Sequence, residues 1–305
     1  MRGRLGSMTQ FSVTPDPTAP SPPRPPLISS DSAWGLFFLL PYIVIFVLFV
    51  AYPIGYAVWL ATDLKAYARI FDDPIYWRTA WNTLIFLLVG VNLKMILALL
   101  LSGFFALPNL WIRILGAFFL LPWAVPHIPS IISIRWMLNS EWGMVNTLLF
   151  DLFRIDGPNW LTNPTYGLSS IIAVHIWKYL PFWTMILVAG RMAIPRDLYD
   201  AAAVDGATKL QRFRHVTFPQ LKALFLTSTM LTTIWSLGDF NSVYLLTGGG
   251  PADRTNTLAT MGIRYAFRQA DFEAGIVTMV SAVPILIPLV IMLTRRLSKA
   301  GGRQA

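Results

Sequence analysis

The stretch "DAAAVDGATKLQRFRHVTFP", Asp200 to Pro219, lies between two long apolar runs. It is charged and rich in small residues, in a chain that otherwise reads as built for lipid. Of the 305 residues, 55% are hydrophobic and only 13% are charged. Soluble domains carry roughly 25% charge, so the composition points to a membrane protein. The net charge of +9 does not indicate nucleic-acid binding, because the basic residues lie beside the apolar runs. No cysteine is present, which excludes disulfides, thiol nucleophiles and Cys-ligated metals.

Outward from that stretch, six segments are long and apolar enough to cross a bilayer, which takes about 20 residues. They are Trp34–Leu60, Asn82–Leu107, Ile114–Leu138, Tyr166–Gly190, Ala223–Leu246 and Ala274–Thr294. The expectation is an all-α integral membrane protein of six transmembrane helices. Trp34, Trp59, Tyr76, Trp77, Trp81 and Tyr166 flank spans, as interfacial anchors do. With the N-terminus inside, the inner segments hold fourteen Lys and Arg against seven outside. The bias predicts cytoplasmic N- and C-termini and makes residues 191–222 the longest inner loop.

The start, Met1 to Ser32, has no apolar segment behind Arg2 and Arg4 and so does not read as a secretory signal. Its "TPDPTAPSPPRPP" run predicts a disordered, Pro-rich cytoplasmic tail over residues 1–33. The first span follows at 34–60, a permease core at 78–296, and a short cytoplasmic tail at 297–305.

Within the loop, Pro195 suits the first position of a helix, and Arg196 to Val204 are good helix formers. Gly206 takes a positive φ cheaply and can end that helix. A second short helix can begin near Thr208 and is expected to stop before Pro219. Ala201, Ala202, Ala203 and Ala207 keep the hairpin thin. Such a hairpin is poor at building a core and suited to entering a groove on another protein. An ordinary polar loop held at the membrane surface by its bases is the plain alternative.

These residues resemble the cytoplasmic loop motif of the permeases of binding-protein-dependent ABC importers: E-A-A, three residues, G, nine residues, I-x-L-P. Here Asp200-Ala201-Ala202, Gly206 and Val216-Thr217-Phe218-Pro219 stand at that spacing, with Asp for Glu, Val for Ile and Phe for Leu. "YWRTAWNTLIF" (Tyr76–Phe86), "LPWAVPHIPSIISIRWML" (Leu121–Leu138), "WKYLPF" (Trp177–Phe182), "AGRMAIPRDLYDAAAVDGA" (Ala189–Ala207) and "LTGGGP" (Leu246–Pro251) look like the carbohydrate-uptake class, permeases of the maltose and glycerol-phosphate kind. The resemblance covers Trp34 to Arg296. It implies the type I ABC importer transmembrane fold and a bacterial inner-membrane location. It also implies partners: a second homologous permease, two cytoplasmic ATPase subunits that hold ATP and Mg, and an extracytoplasmic solute-binding protein. Asp200, Ala201, Ala202, Asp205, Gly206, Ala207, Phe213 and Pro219 would then form the ATPase-docking loop. The outer loop Thr62–Trp81 is shorter than usual for the class.

This chain is expected to bind no cofactor. It has no G-x-x-x-x-G-K-[ST] run, and "TGGGPA" lacks the lysine. His127, His175 and His215 have no metal-ligand spacing and read as satisfied polar contacts. An ion-coupled carrier, the alternative, would need carboxylates in the membrane, and only Asp239 lies inside a predicted span. A membrane-embedded enzyme has no paired carboxylates or triad to support it.

Trp235, Asp239, Asn241 and Tyr244 in the fifth span combine aromatic faces with polar groups, a chemistry that suits a sugar. Asp239 stands four residues after Trp235 and is expected on the same face. Pro122, Pro126 and Pro129 predict a kink or gate in the third span, whose freed carbonyls need partners. Lys94 lies mid-span, where a charge costs at least ~2.5 kcal/mol. It is expected to pair with Asp239, a carbonyl or a partner subunit, or else to receive an anionic sugar.

Overall fold

The computed structural model describes residues 30–301, all of whose regular elements are helical. The expectations for the Pro-rich tail and for the last four residues lie outside the described residues. By internal packing the chain falls into two units, one up to Tyr56 and one from Ala57 onward.

The first unit is an apolar helix, Ser30–Phe46, continued by a π-helical turn at Val47–Ala51. Its described side chains from Trp34 to Tyr56 are all exposed, with Phe38 and Phe49 each about three-quarters accessible. A helix that is apolar on every side requires lipid or protein around it.

In the second unit, residues 62–81, read from sequence as a loop, are mostly helical. Leu64–Asp72 is a short helix, and the next begins at Pro74, eight residues before the predicted span. Asp73 sets the junction. It ends the first helix, and its carboxylate caps the second by accepting from the Ile75 N–H at 2.8 Å. Pro74 sits where its missing N–H has no role. The helix then runs to Phe105 through a π-helical turn at Phe86–Val91.

That 32-residue helix packs along the 26-residue helix Gly167–Met192 to make the centre of the fold. Phe86, Leu87, Val91, Met95 and Ala98 on the first meet Ile171, Val174 and Leu187 on the second, with Leu221, Val243 and Leu246 closing the cluster. Gly190 lets Phe218–Leu237 approach closely, since a Cβ there would lie 2.3 Å from Leu224. A smaller cluster joins Ala66, Ile70 and Tyr76 to Leu258, Met261, Ala274 and Val277.

Three of the six predicted spans are interrupted. The third is two helices, Leu110–Ala124 and His127–Met137, bent by 95°. The fifth breaks at Gly238, where Phe218–Leu237 ends and Asp239 caps a separate helix, Phe240–Thr247. The sixth breaks at Ser281–Ala282, between Phe272–Val280 and Val283–Gly301. Pro284, which has no N–H to give to the preceding turn, accounts for that break. The fifth span is also less apolar than a lipid-facing helix, because it buries Ser228, Thr229, Thr232, Thr233 and Ser236 toward the protein. Thr229 and Thr233 satisfy their hydroxyls on carbonyls four residues back, each at 2.7 Å.

The segment after Pro251 is fastened to the top of the long helix by side-chain bonds. Asn82 Nδ2 donates to the carbonyls of Arg254 at 2.8 Å and Asn256 at 3.0 Å, and the Leu258 N–H donates to Thr83 Oγ1 at 2.9 Å. Asn82→Ala strands both carbonyls and is expected to cost about 1–3 kcal/mol. Thermal melting of the detergent-solubilised protein would read that loss, and an unchanged melting point would show that the segment is held by other means.

Candidate functional site

The loop holding Asp200 to Pro219 begins as a helical hairpin. Arg196–Val204 is helical, with Pro195 as its N-cap rather than its first helical residue. The helix ends in a Schellman motif: the Ala207 N–H reaches the Ala202 carbonyl at 2.9 Å, and the Gly206 N–H reaches that of Ala203 at 3.0 Å. Gly206 supplies the left-handed conformation, φ +73°, that this motif requires. Thr208 then opens Lys209–Arg212 through a capping box with Gln211.

The expected stop before Pro219 does not occur. A π-helical turn, Phe213–Thr217, carries the chain straight into Phe218–Leu237. The wider turn passes the Phe218 N–H to the Phe213 carbonyl, and Pro219 falls in the first turn of the new helix, where no donor is needed.

No residue of Arg196–Val204 is buried. Val204 is 89% exposed and Leu210 74%, so the hairpin presents apolar side chains that nothing among the described residues covers. Asp200, Ala201, Asp205 and Gly206 are exposed, and Ala202 and Ala207 are half-buried. Phe213 turns inward instead, its ring 5.9 Å from the Arg191 guanidinium and 6.2 Å from Phe218. The base is tied by Tyr199, whose hydroxyl lies 3.0 Å from that of Thr217.

The second constellation is a buried polar chain across three helical segments. Lys94 Nζ lies 2.9 Å from His175 Nε2, and His175 Nδ1 lies 2.8 Å from Asp239 Oδ2. With Lys94 as an ammonium, which only donates, Nε2 accepts and the ring proton sits on Nδ1, where it donates to the carboxylate. The Ser236 hydroxyl lies 3.1 Å from the same Nε2. Asp239 also accepts from the Ser242 hydroxyl at 2.6 Å and the Ser242 N–H at 3.0 Å. Lys94 therefore pairs with Asp239 through His175 and not directly. One positive and one negative charge balance within the chain, so no further anion is needed there.

Lys94 and His175 form one wall of a cavity of about 170 Å³ completed by Tyr179, Trp183, Thr232, Trp235 and Ser236. The Trp183 and Trp235 rings are 5.6 Å apart, with Phe182 6.1 Å from Trp235. Of the predicted substrate-path residues, the structure brings Trp235 and Lys94 together at this cavity, with Asp239 behind them. Trp235 and Asp239 do not share a helix face, because the helix stops at Leu237. Asn241 is exposed. Tyr244 stacks on Phe240 at 4.6 Å and accepts from Arg268 at 2.9 Å, on the wall of a different cavity. Sequence reasoning missed Tyr179, Trp183, Thr232 and Ser236. The run of buried hydroxyls in the fifth span was the available signal.

At the bend of the third span, Pro122 lies inside the first helix, Pro126 caps the second and Pro129 lies in its first turn. The freed carbonyls have a partner in Lys178, which donates to those of Pro122 and Val125, each at 2.6 Å. Lys178 is 2% exposed. Lys178→Met is expected to cost about 2–3 kcal/mol and to loosen the bend, which faster hydrogen exchange at residues 122–130 would report. Unchanged exchange would mean that the bend is held without the lysine.

Residues 35–300 match the family described as binding-protein-dependent transport system inner membrane component. The trehalose/maltose transport system permease protein MalF of Thermococcus litoralis is 31% identical over 272 residues, 84% of this chain and 89% of that one. The sulfoquinovosyl glycerol transport system permease protein SmoG of Agrobacterium fabrum is 33% identical over 243 residues, 75% of this chain and 79% of that one. Among solved structures, a bacterial ABC transporter involved in the import of the acidic polysaccharide alginate matches with a TM-score of 0.75 at 20% identity, covering 88% of this chain and 96% of the other. That likeness carries the fold. The chain belongs to the family of binding-protein-dependent transport system inner membrane components.

Proposed function

We propose that this chain is the permease subunit of an ATP-driven importer that carries a sugar or sugar-like solute into the cytoplasm. The hairpin of residues 196–212 is the joint through which an ATPase subunit moves the permease. The observation that carries this reading is the exposed, unburied helix Arg196–Val204 ending at Gly206, a shape made to enter a cleft. The names of the relatives, trehalose/maltose and sulfoquinovosyl glycerol permeases, support the solute class. So does the indole-lined cavity beside Lys94, since flat aromatic faces stack on the C–H faces of sugars.

In this reading both termini and the hairpin face the cytoplasm, in a bacterial inner membrane. The working assembly adds a second, related permease, two ATPase subunits that hold ATP and Mg, and an external binding protein. The ion-coupled carrier weighed from the sequence finds no support in the family match. Its one in-span carboxylate, Asp239, is engaged by His175 and Ser242.

The test is reconstitution of the chain with the permease, ATPase and binding protein from its own genome. ATP hydrolysis is expected to rise when the binding protein is loaded with its sugar. Uptake by this chain alone, driven by an ion gradient and indifferent to the ATPase, would overturn the proposal.

A further inference from the structure

At the foot of the hairpin a cavity of about 920 Å³ lies between the end of Gly167–Met192, the connection at Ala106–Pro108 and the helix Leu110–Ala124. Its walls are of two kinds. Phe105, Leu120, Met185 and Val188 make an apolar surface, and Arg113, Arg191 and Arg196 bring three guanidiniums; among the described residues no carboxylate lines it. Among the described residues none of these arginines forms an ion pair. Asp197 and Asp200, on the hairpin helix, are exposed and do not neutralise them.

Arg191 is the anchor. Its Nε is buried without a partner, and its Nη2 reaches only the Ser102 hydroxyl, at 3.4 Å. A buried guanidinium N–H without an acceptor is costly. Outside the cavity, Trp111, Leu115 and Phe118 continue an exposed apolar stripe along the same helix. Gly103 and Gly116 lie on the floor, where a Cβ on the first would be in van der Waals contact with the Arg191 guanidinium at 3.6 Å.

We propose that this cavity is a site for one anionic phospholipid. Its phosphate lies on Arg113, Arg191 and Arg196, and its acyl chains run along the apolar wall toward Trp111 and Phe118. Charge without counter-charge, set against an apolar surface between transmembrane helices, is the chemistry that selects an acidic headgroup carrying hydrocarbon. Because Arg196 and Tyr199 belong to the hairpin helix, the bound lipid braces the start of that helix. This second half rests on the docking role proposed above, whereas lipid retention can be tested without it.

The assembled importer, purified in mild detergent from membranes containing phosphatidylglycerol, is expected to keep one phosphatidylglycerol on this chain by native mass spectrometry. Arg113→Gln and Arg196→Gln should each weaken retention by about fivefold, while Arg113→Lys keeps most of it. In vesicles of phosphatidylcholine alone, solute-dependent ATP hydrolysis should fall several-fold, and added phosphatidylglycerol should restore it. The double Gln variant should give the same low rate in both. Rescue by inorganic phosphate in phosphatidylcholine vesicles would mean that a free anion suffices and would overturn the lipid assignment. The chain lacks cysteine, so Ala117→Cys reports on the cavity mouth. Protection of that thiol by the assembly in phosphatidylcholine alone would show that a partner subunit covers the cavity, which also overturns the proposal. Lipid retention with no effect on ATP hydrolysis would remove the bracing role.

Discussion

Gly206→Pro is expected to abolish solute-dependent ATP hydrolysis by the assembled importer while leaving the chain inserted and folded. Proline cannot adopt the φ of +73° found at Gly206, so both hydrogen bonds of the Schellman motif must open. A misfit of about 3 kcal/mol at a docking surface corresponds to about a hundredfold loss of productive association. Gly206→Ala carries only the cost of a left-handed Cβ, about 1–2 kcal/mol, and should lose roughly tenfold. No atom lies within 4 Å of a Cβ placed there, so steric collision does not blur the comparison. Co-purification with the ATPase should fall in the same order, glycine, alanine, proline. Equal retention across the three would remove the hairpin from the joint.

The second large effect is expected at the buried polar chain. Lys94→Met leaves Asp239 without its countercharge, and Asp239→Asn leaves Lys94 without its own. Removing one partner of a buried pair costs about 3–5 kcal/mol. The two changes together should cost less than their sum, because the double variant buries no unbalanced charge. Thermal melting of the solubilised complex measures all four corners of this cycle. Additive losses would show that the two charges do not sense each other through His175. Loss of uptake of an anionic sugar in Lys94→Met, with melting unchanged, would instead assign the lysine to the solute.

The hairpin was legible because its signals are local. Gly206, Thr208 with Gln211 three residues later, and the alanine run each fix the backbone within one turn. The long helices were legible from composition. Their breaks were not, apart from the bend at Pro122–Pro129. A Gly-Asp pair inside an apolar run is compatible with a continuous helix. What stops it at Leu237 is the preference of Asp239 for capping the next helix while His175 holds its carboxylate, a contact between residues 64 apart in sequence. The Lys94–His175–Asp239 chain was hidden for the same reason: three ionisable groups on three predicted spans acquire a shared meaning only when the helices pack. The continuation through Pro219 was missed because a π-helical turn has no compositional mark and shifts the register that a proline would otherwise break.

The exposed apolar tip of the hairpin also bears on the life of the subunit before assembly. Val204 and Leu210 are largely exposed in the isolated chain, and the helix beneath them has no fully buried residue and meets the core only through Tyr199. Newly made copies that outnumber their partners therefore display the kind of uncovered greasy segment that chaperones and quality-control proteases recognise. The same residues that would transmit force in the finished machine would label the surplus for disposal. Balanced synthesis of all the subunits then becomes a requirement written into the fold, and overproducing this one alone should shorten its half-life.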